Sequence, residues 1–78
     1  MRTETMPRLV RKQLAAAAET ALPKDPDFKE GFVITEAAFQ RDPEKRICYW
    51  LAQVESKVGQ FKVAFSSTDG IRHKAAMG

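Results

Sequence analysis

Ile47 to Glu55 reads ICYWLAQVE, and the architecture turns on how its side chains divide. Alternate residues of a β-strand point to opposite faces, so Ile47, Tyr49 and Leu51 share one face while Cys48, Trp50, Ala52 and Val54 share the other. Apolar character on both faces is expected of a central strand with something packed on each side. Stretches 32–40 and 61–67 on either side are also rich in β-branched and aromatic residues and supply its neighbours. In the later stretch Phe61, Val63 and Phe65 oppose Lys62, Ala64 and Ser66, the pattern of a strand with one covered face. The earlier stretch is ambiguous, with Phe32, Ile34 and Ala38 on one side and Val33, Ala37 and Phe39 on the other.

The connections are short. Arg41-Asp42-Pro43-Glu44-Lys45 places Asp then Pro where a type I turn wants them, and Ser56 to Gly59 reads as a looser turn with one glycine. Loops of this length force adjacent strands to run antiparallel. The expectation is a three-stranded antiparallel meander over about 32–40, 47–55 and 61–67.

Upstream, Leu9, Val10, Gln13, Leu14, Ala17, Ala18, Ala21 and Leu22 recur at the spacing of one helical stripe. The predicted helix covers about 7–22. Thr5 is a candidate cap, Pro7 is tolerated in a first turn, and Pro23 pushes Leu22 out of the helical region. Four alanines, Ala15 to Ala18, keep the helix thin. Lys24 to Gly31 is a polar connection with Phe28 as its anchor. The predicted class is therefore α+β, in the order α-β-β-β. It forms one small domain over 1–78 with short flexible basic termini at about 1–5 and 70–78.

One helix covers one face. The face left over is expected to present Val33, Ala37, Phe39, Trp50, Ala52, Val54 and Ala64. Contiguous exposed apolar surface commonly marks a binding site, so Phe39, Trp50, Ala52, Val54 and Ala64 are the candidate partner-binding residues. Trp50 and Tyr49 are natural anchors. A second copy of the chain, the 70–78 tail or Phe28 loop, and a different macromolecule are the three candidate covers.

Lys and Arg number 13 against 10 Asp and Glu, a formal charge of +3, and the isoelectric point is near 9.3. Arg2, Arg8, Arg11 and Lys12 gather at one end and Arg72, His73 and Lys74 at the other. Arg8, Arg11, Lys12, Lys62, Arg72 and Lys74 are thus the candidate contacts to phosphate or an acidic partner. A helix followed by three strands is also how the double-stranded-RNA-binding fold begins, and Ile71 to Ala76 stands where that fold starts its second helix.

Signs of catalysis are absent from the sequence. One cysteine, Cys48, and one histidine, His73, cannot build a zinc site or a Cys/His pair. Ser66-Ser67-Thr68 lacks a G-x-S-x-G setting and reads as turn chemistry. The carboxylate pairs Asp25/Asp27 and Asp42/Glu44 lie beside prolines in loops, where hydrated groups lack the shifted pKa values of general acids and bases. No phosphate-binding glycine motif occurs, and without Asn there is no N-glycosylation site. The expectation is a protein with no enzymatic activity, metal, cofactor or small-molecule substrate. A lone cysteine forms no internal disulfide, which points to a reducing, cytoplasmic setting. Glu19 inside the LAAAAETAL run argues against a secretory signal, and no run approaches the ~20 apolar residues of a membrane span.

Two functions from different classes remain. The first is a protein-binding module, an adaptor, regulator or inhibitor of the type common in phages and mobile elements, that docks on another protein or a second copy of itself through an apolar sheet face or edge. The alternative is a nucleic-acid-binding module using the basic residues with Trp50 or Tyr49.

Overall fold

The computed structural model describes residues 7–77; the suggested cap Thr5, the basic residue Arg2 and the N-terminal segment 1–5 lie outside them. Helix α1 runs Arg8–Ala21 with Pro7 at its N-cap. Pro7 has extended backbone angles and no capping side chain, but its carbonyl accepts the Arg11 N–H at 3.0 Å and so starts the helical ladder. A 3₁₀ turn, Leu22–Lys24, carries Pro23 and ends the helix where proline removes the next donor.

The sheet has four strands, β1 Val33–Asp42, β2 Ile47–Ser56, β3 Gly59–Ser66 and β4 Gly70–Ala76, arranged antiparallel in the order β1-β2-β3-β4. The fourth corrects the three-stranded expectation. Residues 70–76 are not a flexible tail, and Ile71 to Ala76 do not start a second helix. Ser66 Oγ accepts the Asp69 N–H at 2.9 Å, and Gly70 takes φ 71°, a left-handed conformation open to glycine. Together they reverse the chain after β3, so β4 returns along it.

The other turns follow their residues. Asp42 Oδ1 accepts the N–H groups of Glu44 and Lys45 at 3.1 and 3.2 Å, as the Asp-Pro pairing predicts. Ser56 Oγ accepts the Val58 N–H at 3.3 Å, and Ser56 pairs with Gly59, so this hairpin is tighter than expected.

Register settles which face of β2 the helix covers, and here the expectation is overturned. Trp50 pairs with Phe65, Ala52 with Val63 and Val54 with Phe61. The clean apolar face of β3 is thereby joined to the even-numbered face of β2. On β1, a bulge between Ile34 and Glu36 inserts one residue and flips the alternation. Ile34, Ala37 and Phe39 thus share the face of Val54, Ala52 and Trp50, and Ala38 lies opposite Leu51. Leu14, Ala17, Ala18, Ala21 and Leu22 pack on this combined face with Phe28. The small alanines let the backbone of α1 approach closely. Trp50, Ala52 and Val54, expected on the free face, are 5%, 2% and 1% exposed beneath the helix.

Candidate interaction surface

The helix-free face is built from the other half of each strand. Glu36, Ala38 and Gln40 of β1 pair with Gln53, Leu51 and Tyr49 of β2. Leu51 and Gln53 in turn pair with Ala64 and Lys62 of β3, and these with His73 and Ala75 of β4. Ile47, Tyr49, Leu51 and Ala38 are half-buried by strand neighbours alone. Of the five candidate partner-binding residues, only Ala64 lies on this face, 7% exposed between Leu51 and His73. Tyr49, named from the sequence as an anchor, does lie on this face, whereas Trp50 does not; sequence reasoning missed Ile47 and Leu51 because both faces of β2 are apolar and only the pairing register distinguishes them.

Phe39 falls between the two classes. It lies on the helix side yet is 56% exposed, its ring against Trp50 at 4.9 Å and 61°. With Ala16, Ala17 and Thr20 these two rings line a shallow groove beside α1.

Arg72 is the extra residue of a second irregularity, where β3 pairs Phe65 with Ile71 but Ala64 with His73. Its guanidinium lies 4.9 Å from the centroid of the Tyr49 ring, a contact worth about 0.5–1 kcal/mol at an exposed site. The free face therefore has an apolar middle partly lidded by an arginine. Its charges are segregated, with Glu36 on β1 and Glu55 on β2 against Lys62 on β3 and Arg72 on β4.

The six basic candidates do not converge. Arg8, Arg11 and Lys12 stand exposed on α1, Lys62 and Arg72 are on the free face, and Lys74 points to the helix side opposite Val63. Lys74 is also already paired. Its Nζ donates to both oxygens of Asp25 at 2.9 and 2.8 Å and to Asp27 at 2.5 Å, and it lies 5.6 Å from the ring centroids of Phe28 and Phe61. Within the connection after α1, Asp25 Oδ1 also accepts the Asp27 N–H at 2.8 Å. This clasp corrects two expectations, that Asp25 and Asp27 are merely hydrated and that Lys74 is free for phosphate.

The clasp makes stability depend on pH at both extremes. The hydrogen bond from Lys74 holds the Asp25 carboxyl below its ordinary value of 3.8, and the bonds to Asp25 and Asp27 hold the Lys74 ammonium above its ordinary 10.5. A depressed carboxylate stabilises the fold above its unfolded pKa, and that contribution fades as pH falls through the folded value. A raised lysine stabilises below its unfolded pKa, and that contribution fades as pH rises through the folded value. Between those limits the clasp acts in full. Lys74→Met keeps the apolar stem over Phe28 and Phe61 while removing the charge. It is expected to cost about 1–2 kcal/mol at neutral pH and to reduce the fall in stability between about pH 5 and pH 2, as read by urea unfolding across that range. An unchanged midpoint at neutral pH would show that the ion pair contributes nothing.

Among the described residues no group of three or more His, Cys, Asp or Glu side chains is placed to hold a metal ion. Cys48 is exposed and pairs with Arg41 on the helix side of the sheet, away from His73. No helix among the described residues is long and apolar enough to cross a membrane. No protein-family model, curated protein or solved structure matches the chain.

Proposed function

We propose that this is a small non-enzymatic binding protein that acts by protein–protein contact through the helix-free face of its sheet. The observation that supports this reading most directly is the pairing of Ala38, Leu51 and Ala64 across three adjacent strands, flanked by Ile47 and Tyr49, with no helix among the described residues packed over them. Antiparallel sheets often leave one face to water, but that face is then polar; here its middle is aliphatic and aromatic. A patch of this kind, rimmed by Glu36, Gln40, Gln53 and Lys62, has the apolar-centre, polar-rim layout of a protein interface.

The nucleic-acid reading is less well supported. Tyr49 with Lys62, Arg72 and His73 on one sheet face is a stacking platform with positive charge nearby, but Glu36 and Glu55 stand on the same face, as their pairing with Gln53 and Gln60 shows. Lys74 is neutralised by two carboxylates, and the basic residues of α1 lie on the other side of the sheet.

Leu51→Glu tests the proposal. Leu51 is partly buried between Ala38 and Ala64 but lies outside the helix-covered core, so the fold should lose about 1–2 kcal/mol, while a charge at the centre of the patch should abolish binding through it. The measurement compares the associated proteins and the solution mass of the chain with those of the variant. A variant that stays folded and retains every association of the parent would overturn the proposal.

A further inference from the structure

The charge pattern on the free face is self-complementary in one orientation, and we infer that its occupant is a second copy of this chain. The predicted dimer stacks sheet on sheet about a two-fold axis running along the strands. This rests on the proposed role of the face in protein contact and names the partner.

A two-fold axis along the strands reverses the left-to-right strand order of the upper sheet. It lays β1 of one protomer over β4 of the other and β2 over β3. Glu36, on the β1 flank and level with Gln53, Lys62 and Ala75, then falls over Ala75 of the partner subunit with the partner subunit's Lys62 beside it on the next strand, and the reciprocal contact forms by symmetry. A two-fold axis across the strands lays β4 over β4 and β1 over β1, so the Arg72 flank opposes its own copy and the Glu36 flank its own, without bringing opposite charges together. Complementary potential favours the first arrangement and penalises the second. In the first, Leu51 and Ala64 of each copy meet near the axis, because β2 and β3 are the central strands.

The size of the face also suits a second sheet. Four strands spaced by about 4.8 Å, each contributing about seven residues at about 3.3 Å rise, give a plan of roughly 440 Å². Side chains stand off that plan and enlarge its accessible area toward the ~600 Å² per partner at which specific interfaces begin. Packed sheets lie about 10 Å apart, a gap that Tyr49, Leu51 and Ile47 from two copies fill. At this modest area and with a mixed polar rim, the expected dissociation constant is on the order of 1–100 μM.

The test is sedimentation equilibrium of the whole chain from about 0.2 μM to 1 mM, a range bracketing that affinity, at low and at high salt. The expected result is a reversible monomer–dimer equilibrium that Leu51→Glu weakens more than tenfold. Glu36→Lys and Lys62→Glu, both surface changes that leave the helix-covered core untouched, should each weaken the dimer about two- to fivefold at low salt, and less at high salt. Combined in one chain they restore opposite charges across the axis, so the double variant should recover the parent affinity. A monomer throughout the range overturns the inference. So does a dimer indifferent to Leu51→Glu, which would pair through a sheet edge, or single reversals that the double variant fails to rescue. If the chain is monomeric but Leu51→Glu still removes its association with some other protein, self-association alone falls and the face remains a docking site.

Discussion

A chain ending at Asp69 is expected to be unfolded at 25 °C, with far-UV circular dichroism lacking the native signal and no cooperative transition in urea. Removal of β4 strips β3 of one of its two hydrogen-bonded neighbours and turns it into an edge. It removes Ile71, which packs against the buried cluster, and uncovers Phe65, now 0% exposed. Lys74 goes with it, leaving Asp25 and Asp27 facing each other without their shared cation. Each loss is worth about 1–3 kcal/mol, against a total stability of roughly 4–12 kcal/mol for a chain of this length. If 70–78 were an unpaired tail, its removal would leave the urea midpoint unchanged, and that result would refute the four-stranded sheet.

Phe28→Ala is expected to cost about 3–5 kcal/mol, the range for aromatic truncation in a well-packed core. Phe28 is 1% exposed although it sits in a connection. Its ring meets Phe61 edge-on at 5.3 Å and Phe32 at 6.3 Å, and Lys74 closes over it from β4. The surroundings cannot collapse into the space, because Asp25 and Asp27 on the same loop are pinned by that lysine. Phe39→Ala is the matched control: the same chemistry at a site 56% exposed should cost about 1 kcal/mol or less. Equal losses at the two positions, measured by urea unfolding, would mean that Phe28 is not the anchor of the loop.

The helix, the first three strands, the Asp42 hairpin turn and the role of Phe28 were legible because each is written in local chemistry. Proline flanks the helix, Asp-Pro makes one turn, and alternation in β3 is unambiguous. β4 was not legible from periodicity. Its inward positions are Ile71 and Lys74, and a lysine at a core-facing site looks like a solvated one until the carboxylates of a loop 49 and 47 residues earlier close on it. The turn before it did carry a signal, Asp69-Gly70 directly after a strongly apolar strand. The free face was misread for a different reason. Strand β2 is apolar on both sides, and β1 has a bulge that no alternation rule anticipates. Which of Trp50 or Leu51 meets the helix is fixed by pairing with β3, a non-local fact. The candidate surface therefore moved from the even to the odd residues of the same strand.

The clasp between Lys74 and the loop at Asp25 and Asp27 also governs the order in which the molecule can form. The hairpins are local and close early, since short loops carry little closure entropy. The segment that seats Phe28 is held by Phe61 on β3 and, across 49 residues, by Lys74 on β4. Until residue 74 is present, the Phe28 ring lacks the ammonium that closes over it and Asp25 and Asp27 lack their shared cation. During synthesis the sheet can assemble strand by strand, but the core stays open until the last strand arrives. Contacts between residues so far apart in sequence carry the larger closure entropy, so the clasp is expected to close after the hairpins have formed.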